Sequence, residues 1–87
     1  MATTITLSQS TSEAGDGAFI HLLGAEFGLS KPVSLYVGGV HAGELTADEQ
    51  GNFSGQVQIP RELAAGSFEV FADDHVGNTD GAAFTIS

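Results

Sequence analysis

His21, His41 and His75 are the side chains whose charge ordinarily changes near neutral pH. Scattered along the chain, they do not make a metal site by spacing, and each is expected at the surface. A denser group is Asp73, Asp74, Asn78 and Asp80, interleaved with Gly77 and Gly81. Calcium takes such oxygen ligands. The run does not fit the EF-hand register, because the first ligand position would fall on Val76. Turn chemistry accounts for Asp, Asn and Gly there without an ion. The expectation is therefore no metal and no cofactor, with those four residues as the calcium candidates. Serine, histidine and aspartate are all present, but no Gly-x-Ser-x-Gly elbow occurs. The carboxylate pairs Glu13/Asp16 and Asp48/Glu49 fall in turns rather than a cleft. A non-enzymatic role is expected.

The elements that must carry these residues are strands. Val33, Leu35 and Val37 alternate with Ser34 and Tyr36; Phe53, Val57 and Ile59 with Ser54, Gln56 and Gln58; Phe68, Val70 and Ala72 with Glu69, Phe71 and Asp73. A period of two buries one face of each segment and wets the other. Ile5–Leu7 reads as a first edge strand, Ser10–Gly17 as a loop, and Phe19–Leu23 as a strand broken by Gly24–Gly28. Pro32 opens the next strand, Val33–Val37. Gly38-Gly39 makes a primed hairpin turn, and Gly43 should keep the return strand, Val40–Leu45, short. Asp48–Gly51 is a tight turn, followed by a strand over Asn52–Ile59 that Pro60 ends. Arg61–Ala65 is expected to make one helical turn stopped by Gly66 in the left-handed conformation. Ser67–Asp73 is a strand, Asp74–Gly81 a loop, and Ala82–Ser87 the closing strand. With turns every 8–12 residues this predicts one all-β domain over residues 1–87, a seven-stranded antiparallel sandwich.

Composition narrows the partners. Lys31 and Arg61 stand against eleven carboxylates, for a net charge of −9. Phosphate binding needs Lys and Arg to displace counterions, so nucleic acid is a poor partner, and an anionic membrane surface is disfavoured in the same way. No cysteine is present, so disulfides and zinc–thiolate sites are excluded. The N-terminus has no apolar run of signal-peptide length. It reads either as the start of a whole gene product or as a domain with Met1 added.

Several apolar residues have the wrong parity for a monomeric sandwich. If Ile20 and Leu22 point in, Phe19 and Leu23 point out. If Val70 points in, Phe71 points out, and Tyr36 lies outside beside Ser34. An outer face is ordinarily polar, so Phe19, Leu23, Tyr36 and Phe71 are the candidate interaction surface if they gather in one patch.

The second half carries a recognisable pattern. Thr46-Ala47-Asp48, Gly51-Asn52-Phe53-Ser54 and Val57-Gln58-Ile59-Pro60 are followed by Gly66-Ser67-Phe68-Glu69-Val70 and Ala83-Phe84-Thr85-Ile86. Over roughly residues 15–87 the chain resembles the bacterial immunoglobulin-like domains of actinobacterial surface proteins, and is similar in style to the apoproteins of the enediyne chromoproteins. The resemblance implies an Ig-like Greek-key sandwich. It also implies an interaction role, most concretely a capsid-decoration protein on a virion surface, since such domains are widespread on tailed phages. Its partner would then be a capsid protein or other surface protein, with a homo-oligomer as a further expectation. The alternative is an extracellular or cell-wall setting, as a spacer or adhesion domain. A third expectation, ligand carriage between the sheets, requires a cavity lined by Phe53 and Phe68. The chromoproteins' disulfides are missing here, so a chromophore pocket is not implied.

Overall fold

The computed structural model describes residues 2–87. Its strands are β1 (Thr4–Leu7), β2 (Thr11–Ser12), β3 (Phe19–Ala25), β4 (Pro32–Val37), β5 (Val40–Thr46), β6 (Phe53–Gln58), β7 (Gly66–Asp73) and β8 (Thr79–Ile86). There is no helix among the described residues. The strands form two sheets, one ordered β1-β3-β6 and the other β2-β8-β7-β4-β5. Every pairing is antiparallel except the short parallel bridge of β2 to β8.

The period-two pattern sets the core. On β3, Ile20 and Leu22 are fully buried while Phe19, His21 and Leu23 are exposed. On β4, Val33, Leu35 and Val37 point into the same interior, where they meet Val57, Val70 and Phe84 in one continuous apolar cluster. The two outer faces therefore lie on opposite sides of the domain.

Glycines mark where chain and side chain approach closely. Gly38 and Gly39 take φ values of 58° and 82°, as the primed turn between Val37 and Val40 requires. Gly24 does not break its strand. It pairs with both Ile5 and Phe53, and a Cβ there would run into the Phe53 ring. That ring packs on Phe27 with centroids 5.1 Å apart. Likewise Gly43 does not shorten β5. The register slips between Leu35 and Tyr36, leaving Ala42 as an extra residue, so the strand absorbs the irregularity as a bulge and runs on to Thr46.

Other expectations give way to tertiary pairing. The segment after Pro60 is a turn, closed by the Leu63 N–H donating to the Pro60 carbonyl at 3.3 Å, and not a helical turn. Gly66 has φ of 155°, far from the left-handed helical value, and starts β7. Within the expected loop Ser10–Gly17, Thr11 and Ser12 join β8 as the eighth strand. The last loop is shorter than expected, because Thr79–Gly81 already pair with β7.

Overpacking against the Phe53 ring should be costly. Gly24→Val is expected to destabilise the fold by about 3 kcal/mol, and Gly24→Ala by less. The check is denaturant unfolding, with partial rescue expected when Phe53→Leu is added to Gly24→Ala.

Candidate interaction surfaces

The four apolar candidates do not form one patch. Phe19 and Leu23 lie on β3 in the three-stranded sheet, whereas Tyr36 and Phe71 are direct cross-strand partners on β4 and β7 in the five-stranded sheet. Two separate surfaces result.

On the five-stranded sheet, Tyr36 and Phe71 are half-buried. Tyr36 meets the His41 ring edge-on at a centroid distance of 5.4 Å. Beside them runs an open groove of about 640 Å³, lined by Tyr36, Phe68, Glu69, Phe71 and Asp73 and closed by the Gly38-Gly39 turn. Phe68 seats against Gly38, where a Cβ would come within 2.7 Å of its ring. Two carboxylates, Glu69 and Asp73, and no cation thus border an aromatic floor. Alternation alone had placed Phe68 wholly inside.

At the edge of this face, Ser34 Oγ lies 2.8 Å from His75 Nε2, and His75 Nδ1 lies 3.8 Å from Asp73 Oδ2. The second distance exceeds a hydrogen bond, and Ser34 is only 6% exposed beneath the imidazole. The contact fastens the β7–β8 connection onto β4. The His75 backbone (φ 63°) is held by its N–H donating to Asp73 Oδ1 at 2.8 Å, the local turn that aspartate favours.

On the three-stranded sheet, Phe19 is 62% and Leu23 52% exposed, so neither the first strand nor a loop covers them. Outward neighbours follow from the register: Gln58 opposite Phe19, and Gln56 opposite His21. Farther along, Leu23 sits between Thr6 and Ser54, and Ala25 faces Thr4. A groove of about 480 Å³ lies at the Leu23 end.

Of the calcium candidates, Asp74 has both carboxylate oxygens, and Asp80 one, taken by protein donors. Asp74 is 2% exposed. Its Oδ1 accepts the N–H groups of Val76 (2.9 Å) and Asn78 (3.0 Å); its Oδ2 accepts the Gly28 N–H and the Asn78 side-chain amide, both at 2.7 Å. Asp80 belongs to β8 rather than the loop, and its Oδ2 accepts the Ile5 N–H at 2.9 Å. Among the described residues no three His, Cys, Asp or Glu side chains are grouped to hold a metal ion. Burial alone would push the Asp74 carboxyl up, but its hydrogen bonds to the Asn78 side chain and to the backbone of Val76, Asn78 and Gly28 outweigh this and hold it at about 2, against an ordinary 3.8. Asp48 is likewise lowered, chiefly by the Asn52 N–H and then that of Gln50.

The same anchored loops present Leu29 (62% exposed) and Val76 (56%) at one end of the domain, residues that no periodicity singles out. Phe53 and Phe68 line different grooves, so the cavity required for carriage between the sheets is not formed by that pair. No helix of the described residues is long and apolar enough to cross a membrane.

No family model matches the chain, and no curated protein matches it. Among solved structures it is similar to macromomycin, with a TM-score of 0.73 at 13% identity, covering 99% of this chain and 100% of that one. At that identity the likeness concerns the fold alone.

Removing the Asp74 charge tests the clamp. In Asp74→Asn one oxygen becomes an NH₂ that faces N–H donors, so about 3 kcal/mol is expected to be lost, lowering Tm by roughly 12–24 °C. Because the carboxyl's folded value lies below its unfolded one, its stabilisation is complete above pH 3.8 and disappears as pH falls through about 2. Acid titration of stability should therefore drop more steeply over that window in the wild type than in Asp74→Asn.

Proposed function

We propose that the protein is a non-enzymatic interaction module, a seven-stranded Ig-like Greek-key sandwich with β2 as a short accessory, that docks on another protein through the outer face of its five-stranded sheet. Support for the topology comes from the strand order. Without β2, strands β1, β3 and β6 form one sheet and β8, β7, β4 and β5 the other, and the chain crosses between sheets after β3, β5 and β6. The observation that carries the docking role is the groove over Tyr36 and Phe71 with Glu69 and Asp73 at its border. Aromatic anchors in a recess are the usual centre of a contact surface. The carboxylates, in a chain of net charge −9, favour a partner with a basic surface.

The resemblance to domains of tailed-phage capsids makes an assembled capsid shell the most concrete partner and the virion surface the location. Bound in many copies, the module would stabilise the shell or present its acidic loops outward. An Ig-like spacer or adhesion domain on a bacterial surface is the reading that would replace it.

The test is co-sedimentation with purified virions of the phage that carries the gene. The wild type should pellet with particles, and the pair Tyr36→Ala/Phe71→Ala should bind at least about tenfold more weakly, as expected for loss of aromatic anchors. Binding should also weaken with added salt. Absence of the protein from purified particles would remove the capsid reading.

A further inference from the structure

We propose that the outer face of the three-stranded sheet is a self-association surface, and that its partner is a second copy of this chain. The argument starts from charge. Eleven carboxylates and two cations are spread over 87 residues, yet none occupies an outward strand position of this face, and Asp48 borders it only at the groove beside Leu23. Its outward positions are Thr4 and Thr6 on β1, Phe19, His21, Leu23 and Ala25 on β3, and Ser54, Gln56 and Gln58 on β6. The opposite outer face carries Glu44, Glu69 and Asp73.

Two bodies of net charge −9 repel each other in most orientations. Contact through this face, with the β3 strands antiparallel, sets the two Asp48 carboxylates at opposite ends and so avoids burying one carboxylate against another. A basic partner, by contrast, would gain nothing here and is better served by the other face.

Symmetry fits as well. A two-fold contact requires a self-complementary patch. Phe19 and Leu23 lie equally far on either side of His21 on the middle strand. Stacking two copies with their β3 strands antiparallel sets Phe19 of each against Leu23 of the other, with the amide and hydroxyl side chains of β1 and β6 around them.

Size limits the strength. Three strands at a spacing of about 4.8 Å, over seven residues at about 3.3 Å each, give a footprint on the order of 300 Å². A standard interface buries about 800 Å² per partner. The association is therefore weak and reversible, in the range of tens of micromolar to about a millimolar.

Sedimentation equilibrium of the intact chain from about 10 μM to 1 mM tests this. A monomer–dimer equilibrium is expected, and it should tighten several-fold when salt is raised from about 0.05 to 0.5 M, because salt screens the repulsion between the two acidic bodies. Salt has the opposite effect on docking to a basic partner. Phe19→Glu/Leu23→Glu should remain monomeric over the same range with Tm changed little, since both side chains are exposed, and Tyr36→Ala/Phe71→Ala should dimerise like the wild type. A wild type that stays monomeric at 1 mM and high salt would overturn the proposal. So would dimerisation unaffected by the glutamates at positions 19 and 23, which would indicate pairing through a strand edge.

Discussion

A single buried carboxylate holds one end of the domain together. Two connections cross between the sheets at that end, residues 26–31 and 47–52, and the first of them meets the β7–β8 connection there. Asp74 reaches Gly28 in the first crossing and Val76 and Asn78 in its own loop. The two crossings are tied to each other by Phe27 N–H to Gly51 O at 3.0 Å, Ser30 N–H to Asp48 O at 2.9 Å and Ala47 N–H to Lys31 O at 2.9 Å. A buried charge is tolerable when its lone pairs are met by donors, and Asp74 accepts four hydrogen bonds. Gly51 belongs to the same arrangement. Its φ of 83° suits glycine, and a Cβ would press to within 2.5 Å of the Phe27 carbonyl oxygen.

Locking the crossings fixes the registration of one sheet on the other. Phe27 leaves the first crossing to stack on Phe53, and Phe53 fills the space left by Gly24. The apolar interior thus begins at the clamp and extends along alternate side chains to Phe84 and Ile86. With both sheets committed to this interior, variation in chemistry is confined to the outer faces and loop ends. That division explains why the two outer faces differ so much in charge.

Strand existence and facing were legible because alternation is a local property. Ile20, Leu22, Val33, Leu35 and Val37 are buried as their spacing requires. Turn chemistry was legible at Gly38-Gly39 for the same reason. What could not be read locally is what a residue meets across the fold. Gly24 and Gly43 look like strand breakers, but one makes room for a ring and the other sits beside a bulge. Asp74 and Asp80 look like loop ligands for a cation, but each accepts an N–H from a segment far away in sequence, Gly28 for Asp74 and Ile5 for Asp80. The outward-facing apolar residues Phe19, Leu23, Tyr36 and Phe71 were found by parity, while their division between two sheets depended on strand order, which no periodicity encodes.

Strand edges are the remaining route to association, and each is blunted by a different device. On β1 the Ile5 N–H is taken by Asp80, and β2 has only two residues. The other edge of the five-stranded sheet, β5, carries the bulge at Ala42, which twists it away from regular pairing. On β6, Gly55 lies beneath the Leu45 side chain of β5, so the two open edges on that side shelter one another. Net charge of −9 opposes any residual edge-to-edge pairing between copies. With the edges protected in these ways, exposed Phe19 and Leu23 are not remnants of an unfinished sheet. They are surface apolar groups on a finished one, held in place by a core that does not need them.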